Sequence, residues 1–189
     1  MLAFKGFNSR LQATMGKGTF QFEPGKTYEE KECKCARNGF HCAENPLCAL
    51  SYYSGMDDRF FLVEAAGDIN QDGKDSRISC TKLTLKKEIS RKELAVCACK
   101  YMLDHPEREM ESDHAVRDKG RCRKKRDFII VRGKHPEAAG VEGSLLCLVQ
   151  EEKDSNEIMG IYGIEIDGKE YQADTWYEIR GGAVCGKKS

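Results

Sequence analysis

The sequence predicts an α+β fold: mixed strands with two short helices, followed by a small antiparallel β unit. Three observations carry that expectation. Apolar and polar residues alternate over most of the chain, helix-start signals occur at two places, and the last third holds short β-type runs punctuated by glycine. Residues 1–103 are expected to form an N-terminal α+β domain, 104–127 a charged linker or arm, and 128–189 a small β domain.

The elements run in order along the chain. "LAFKGF" and "GTFQFEPGKTYE" alternate with period two, which sets one face of each short strand on a core, and Pro24-Gly25 marks a turn. Asn45 is an N-cap with Pro46 at the first helical position, and Leu47 and Leu50 supply the inward face of a short helix through Tyr53. "RFFLVEAAGDI" reads as a mostly buried strand closed by Gly67; after an Asp72-Gly73 turn, "DSRISCTKLTLKKEI" directs Ile78, Cys80, Leu83 and Leu85 inward. Ser90 and Glu93 make a capping-box pair, and Leu94, Cys97, Ala98, Tyr101 and Met102 form one stripe of an amphipathic helix that closes the first domain.

From Asp104 to Asp127 the apolar periodicity collapses. "DHPEREMESDHAV" is acidic and "RDKGRCRKKRD" basic, so little burial offsets the entropy of ordering the chain, and an exposed arm is expected. Beyond it, "FIIVRG", "GSLLCLVQEE", "IMGIYGIEIDGKEY" and "DTWYEIRGGAV" are β-type runs, with a hairpin turn at Asp167-Gly168 and Trp176 in the core of the unit.

With 189 residues, 40% of them hydrophobic and 33% charged, the chain can bury a real core. Lys plus Arg and Asp plus Glu balance at 31 each, so attraction to nucleic acid or an anionic membrane must be local. No run has the apolar length of a signal peptide or a membrane span, which places the protein in the cytoplasm with no membrane partner. In that compartment the ten cysteines are expected as thiols, most of them small buried hydrophobes.

Candidate sites emerge from residue type and spacing. Cys33, Cys35, His41 and Cys42 offer the ligand types zinc prefers, but Cys-x-Cys and adjacent His-Cys make awkward chelates, so no metal is expected and zinc stands as the alternative. Cys42, beside His41 and before a helix start, is the best-placed nucleophile. Arg117, Lys119, Arg121, Arg123, Lys124, Lys125 and Arg126 form a dense cation run suited to nucleic-acid phosphates or an acidic protein. Glycine-rich phosphate loops are absent from the sequence.

Two resemblances add to this reading. "FKGFN", "FQFEPGKTYE", "NGFHCAENPLCALSYY", "RFFLVEAAGDI", "IEIDGKEY" and "ADTWYEI" together resemble an uncharacterised domain family encoded by phages and prophages. In its longer members this domain precedes short tandem repeats. Gly39-Phe40-His41-Cys42 leading into "PLCALSYY" and then "LVEAAGD" also resembles ADP-ribosyltransferases of the poly-ADP-ribose polymerase type. That likeness makes Tyr52 the tyrosine that stacks on nicotinamide. It sets the family's His-Gly pair on Lys5-Gly6 and its helix serine on Ala49, with no late glutamate recognisable beyond Glu88, and so implies a non-catalytic relative.

The expected function is that of a phage or prophage accessory protein in the bacterial host's cytoplasm. It acts by binding a host protein or ribonucleoprotein complex, as an inhibitor of host defence of the anti-CRISPR kind, with nucleic acid reached through the basic segment. The alternative is an ADP-ribosyltransferase-like enzyme or NAD/nucleotide-binding protein using Lys5, His41 and Tyr52, with NAD as cofactor; a virion structural module is the second alternative.

Overall fold

The structure, a computed structural model, describes residues 1–15, 18–71, 73, 76–108, 110–153 and 155–187. Its contacts divide the chain into two compact units, Met1–Ser90 and Arg91–Ser189. The α+β class holds, with strands dominant and two short helices.

The first unit runs β1 (Leu2–Phe7), β2 (Gln12–Ala13), β3 (Phe20–Gln21), β4 (Thr27–Glu29), β5 (Phe40–Ala43), α1 (Pro46–Tyr52), β6 (Arg59–Gln71) and β7 (Arg77–Ile89). Its main sheet has the order β4-β7-β5-β1-β6, and a further pairing of β6 with β7 closes β7, β5, β1 and β6 into a ring. Alternation fills that ring from every side. Phe61, Val63 and Ala65 of β6 and Leu83 and Leu85 of β7 are fully buried, beside Ala3 and Phe7 of β1.

α1 begins as expected: the Asn45 side chain accepts a hydrogen bond from the Leu47 N–H at 3.0 Å, and Pro46 occupies the first turn. The helix lies close on β1 because Gly6 has no side chain there. A Cβ at that position would sit 2.7 Å from Cδ2 of Tyr53 and 3.1 Å from the Ala49 carbonyl. Gly67 does not end its strand. β6 continues through it at φ +71, where the register against β7 shifts, so the glycine supplies a bulge within one long strand. Of the expected Asp72-Gly73 turn, Asp72 lies outside the described residues.

The second unit comprises α2 (Arg91–Asp104), β8 (Ala115–Cys122), β9 (Phe128–Gly140), β10 (Leu145–Glu151), β11 (Ile158–Glu165), β12 (Tyr177–Arg180) and β13 (Ala183–Gly186). One sheet runs β11-β10-β9-β12-β13, with β8 also on β9. It is mixed: β9 pairs in parallel with β8 and with β10, while β10–β11, β9–β12 and β12–β13 are antiparallel.

Sequence and structure differ here in instructive ways. α2, expected to close the first domain, packs on β9 and β10 of the second unit, because its apolar face finds its partner in strands that come later in the chain. Within that face Cys99 is buried rather than Cys97. Much of the charged stretch 104–127 is not an arm but strand β8. Its cations are spent on ion pairs: Arg117 with Glu151 at 2.6 Å, Lys119 with Glu137 at 3.0 Å and Arg121 with Asp174 at 2.5 Å. Lys119 and Arg121 also lie over the half-buried Trp176 ring, at 4.2 and 5.1 Å from its centroid, so this residue is a cation platform and not core.

Asp167-Gly168 forms a tight loop in place of the hairpin. The Asp167 carboxylate accepts hydrogen bonds from the N–H groups of Lys169, Glu170 and Tyr171, which also hold its carboxyl below the usual range. "DTWYEIRGGAV" is itself a hairpin, turning at Gly181 and Gly182 with φ of +57 and +79.

Two buried ion clusters brace the second unit. Arg91 and Asp127, with side chains 6% and 5% exposed, pair at 3.0 Å, and His114 Nε2 stands 3.2 Å from both carboxylate oxygens of Asp127. Arg132 pairs with Glu151 at 2.5 Å and donates to the carbonyls of Pro106, Arg108 and Asn156. No helix among the described residues is long and apolar enough to cross a membrane.

Candidate functional site

The first unit holds a cavity of about 470 Å³ whose wall includes Lys5, His41, Tyr52 and Arg77. Each comes from a different element, and local structure explains each placement. On β1, Lys5 is registered opposite Phe61, so it shares the inward face with Ala3 and Phe7. Its Nζ donates to the His41 carbonyl at 2.5 Å and stands 5.5 and 5.7 Å from the ring centroids of Phe7 and Phe22. Burial lowers its pKa, against the opposing pull of Cys42 and Cys80.

Tyr52 ends α1, and its hydroxyl accepts a hydrogen bond from Arg77 Nη1 at 2.9 Å. Arg77 opens β7 opposite Ala43, the last residue of β5, which brings it beside the helix. Next to it Tyr53 points its hydroxyl at the Thr14 N–H, 2.9 Å away. Phe20, Phe22 and Phe40 add aromatic wall, with Phe20 and Phe40 edge to face at 5.9 Å between centroids.

His41 is a structural residue. Its Nε2 accepts the Ala36 N–H at 3.0 Å, which pins the loop that carries Ala36 at φ +62. Burial, then the nearby Lys5 and Arg77 cations, hold its pKa down, and a hydrogen bond to the Gly39 backbone opposes the shift. Nε2 is thus occupied by the Ala36 N–H, and a ligand would have to displace that bond to reach it.

The cysteines singled out by the sequence disperse to separate partners. Cys33 Sγ turns to the Asp68 carbonyl and Cys35 Sγ to the Arg77 carbonyl, while Cys42 hydrogen-bonds Cys80. Among the described residues no three His, Cys, Asp or Glu side chains gather to hold a metal ion. The bond with Cys80 and burial push the Cys42 thiol up, the wrong direction for a reactive thiolate. None of the ten cysteines is in a disulfide.

The structure thus brings together Lys5, His41 and Tyr52. It separates the cations of the basic run, of which Arg123, Lys124, Lys125 and Arg126 remain exposed around the β8–β9 turn. Sequence reasoning missed Arg77, Arg37 and Glu30 in the cavity wall, because register brings Arg77 there and the loop between β4 and β5 brings the other two. The alternation in "FQF" did signal a shared face for Phe20 and Phe22. Among the described lining residues three cations, Lys5, Arg37 and Arg77, face one carboxylate, Glu30, so the cavity suits an anionic ligand with a flat apolar part.

A family model, that of a domain of unknown function (DUF7666), matches residues 1–96, a span that contains every residue of this cavity. No curated protein and no solved structure matches the chain.

Proposed function

The chain belongs to the DUF7666 family, and from that premise we propose that its first unit is a receptor for a nucleotide-type small molecule, NAD or a relative of it. The observation that carries this reading is the convergence of Lys5, Tyr52 and Arg77 on one aromatic-walled cavity of about 470 Å³. A volume of this order suits an organic ligand, and a few convergent polar groups would fix its orientation. Tyr52 would stack on a planar ring while Arg77 and Arg37 face the anionic part and Lys5 lies beside them. The engagement of His41 Nε2 by the Ala36 N–H favours binding over group transfer, since that nitrogen is not turned to a ligand.

Calorimetry with NAD and with ADP-ribose tests the proposal. Binding is expected, and Tyr52→Ala is expected to weaken it by about tenfold or more, one stacked ring being worth roughly 1–3 kcal/mol. Absence of binding to either ligand, or equal binding by the variant, would count against it.

A second reading, the phage or prophage accessory protein that binds a host macromolecule in the cytoplasm, is supported by the motif resemblance and by the exposed turn carrying Arg123, Lys124, Lys125 and Arg126. Host-partner capture at low salt would then fall when the four are replaced by alanine.

A further inference from the structure

We propose that Lys5 is a carbonyl-capturing amine: its Nζ condenses with an aldehyde on an anionic, ring-bearing ligand held in the cavity, forming an imine. This deepens the receptor reading and rests on the same cavity.

Lys5 differs both from the lysines that pair with carboxylates and from the exposed ones that lie open to solvent, such as Lys124 and Lys125. Lys26, Lys82, Lys86, Lys92 and Lys100 pair with carboxylates, and Lys119 does so as well. Lys5 has no carboxylate partner among the described residues; its polar contact is a single carbonyl, and its other neighbours are two phenylalanine rings and the thiols of Cys42 and Cys80. Yet it is half-buried, with surface open to the cavity. An amine in such a place is held toward its uncharged form by desolvation, the state in which it is a nucleophile.

The ring strands hold it at a fixed point, registered opposite Phe61, and Phe20, Phe22 and Phe40 line the same cavity. In the condensation the nitrogen lone pair forms a C–N bond to the carbonyl carbon while the π pair moves to oxygen. Both amine protons then leave with that oxygen as water, and the C=N bond remains. The cations Arg37 and Arg77 lie in the same wall, where they face an anionic substituent on the ligand.

The test uses the full chain, pyridoxal 5′-phosphate as the probe and cyanoborohydride as the trap. The hydride adds to the imine carbon and leaves a stable secondary amine. Intact mass and peptide mapping are expected to show one adduct per chain, on the peptide containing Lys5, and none in Lys5→Met. It should form faster than adducts at surface lysines, because a lowered pKa leaves more of the amine unprotonated at neutral pH. Melting followed by circular dichroism checks that Lys5→Met folds. Independently of that variant, the labelling rate at Lys5 should level off at a pH below the range in which ordinary lysines titrate.

Adducts spread over surface lysines, labelling unchanged in a folded Lys5→Met, or a rate at Lys5 that climbs through the ordinary lysine range would each overturn the proposal. A chain that binds NAD or ADP-ribose but forms no Lys5 adduct sinks the amine and leaves the receptor. An adduct in a chain that binds neither nucleotide does the reverse.

Discussion

Asp127 shows how much a single side chain contributes in the second unit. Burial alone would raise its pKa, but hydrogen bonds from His114 and Arg91, and their charges, outweigh that and hold the carboxyl at about 2. The unfolded chain binds that proton near 3.9, so the carboxylate's contribution is fully present above that value and is lost as pH falls through about 2. The contribution is about 2–3 kcal/mol. Urea unfolding between pH 7 and pH 2 should show a loss of this size, and Asp127→Asn should flatten it while costing about 3–5 kcal/mol at neutral pH by leaving Arg91 without its carboxylate. Residue chemistry of this kind was only partly legible in the sequence. Asn45, Pro46 and Leu47 announced their roles through local rules. Lys5 did not: alternation in "LAFKGF" marks a strand but not which face turns inward, and the exposed residue is Leu2 while the lysine joins the inward face.

Among the elements, β8 is the one that charge concealed. Its partners Glu137, Glu151 and Asp174 lie far along the chain, so a local reading saw uncompensated cations where the fold makes ion pairs. The strand and the turn that follows it divide their cations by function. Arg117→Ala removes a partner of the buried Glu151 and should destabilise the protein by about 1–3 kcal/mol. Replacing Arg123, Lys124, Lys125 and Arg126 together by alanine should stay within about 0.5 kcal/mol, since these side chains are exposed. Thermal melting of the two variants side by side decides this, and similar losses in both would contradict the assignment. α2 teaches the complementary lesson. Its stripe was readable as a buried face, but a stripe does not say which sheet it will meet.

For the chain as a whole, charge balance has a colloidal consequence. With 31 cationic and 31 acidic residues and an isoelectric point near 6.9, the molecule carries almost no net charge at neutral pH. Light scattering across pH 6–9 should therefore find greatest self-association near pH 7, relieved at higher pH; a flat profile would show that local charge clusters dominate instead. The ring of strands has another consequence. On the proposed receptor reading, the walls supplied by β1, β5 and β7 are tied by backbone ladders and cannot spread without losing several bonds together, so that part of the chamber would exist before any guest arrives. Such a vessel selects by shape instead of moulding itself to the visitor, and close congeners of the right ligand should be refused abruptly.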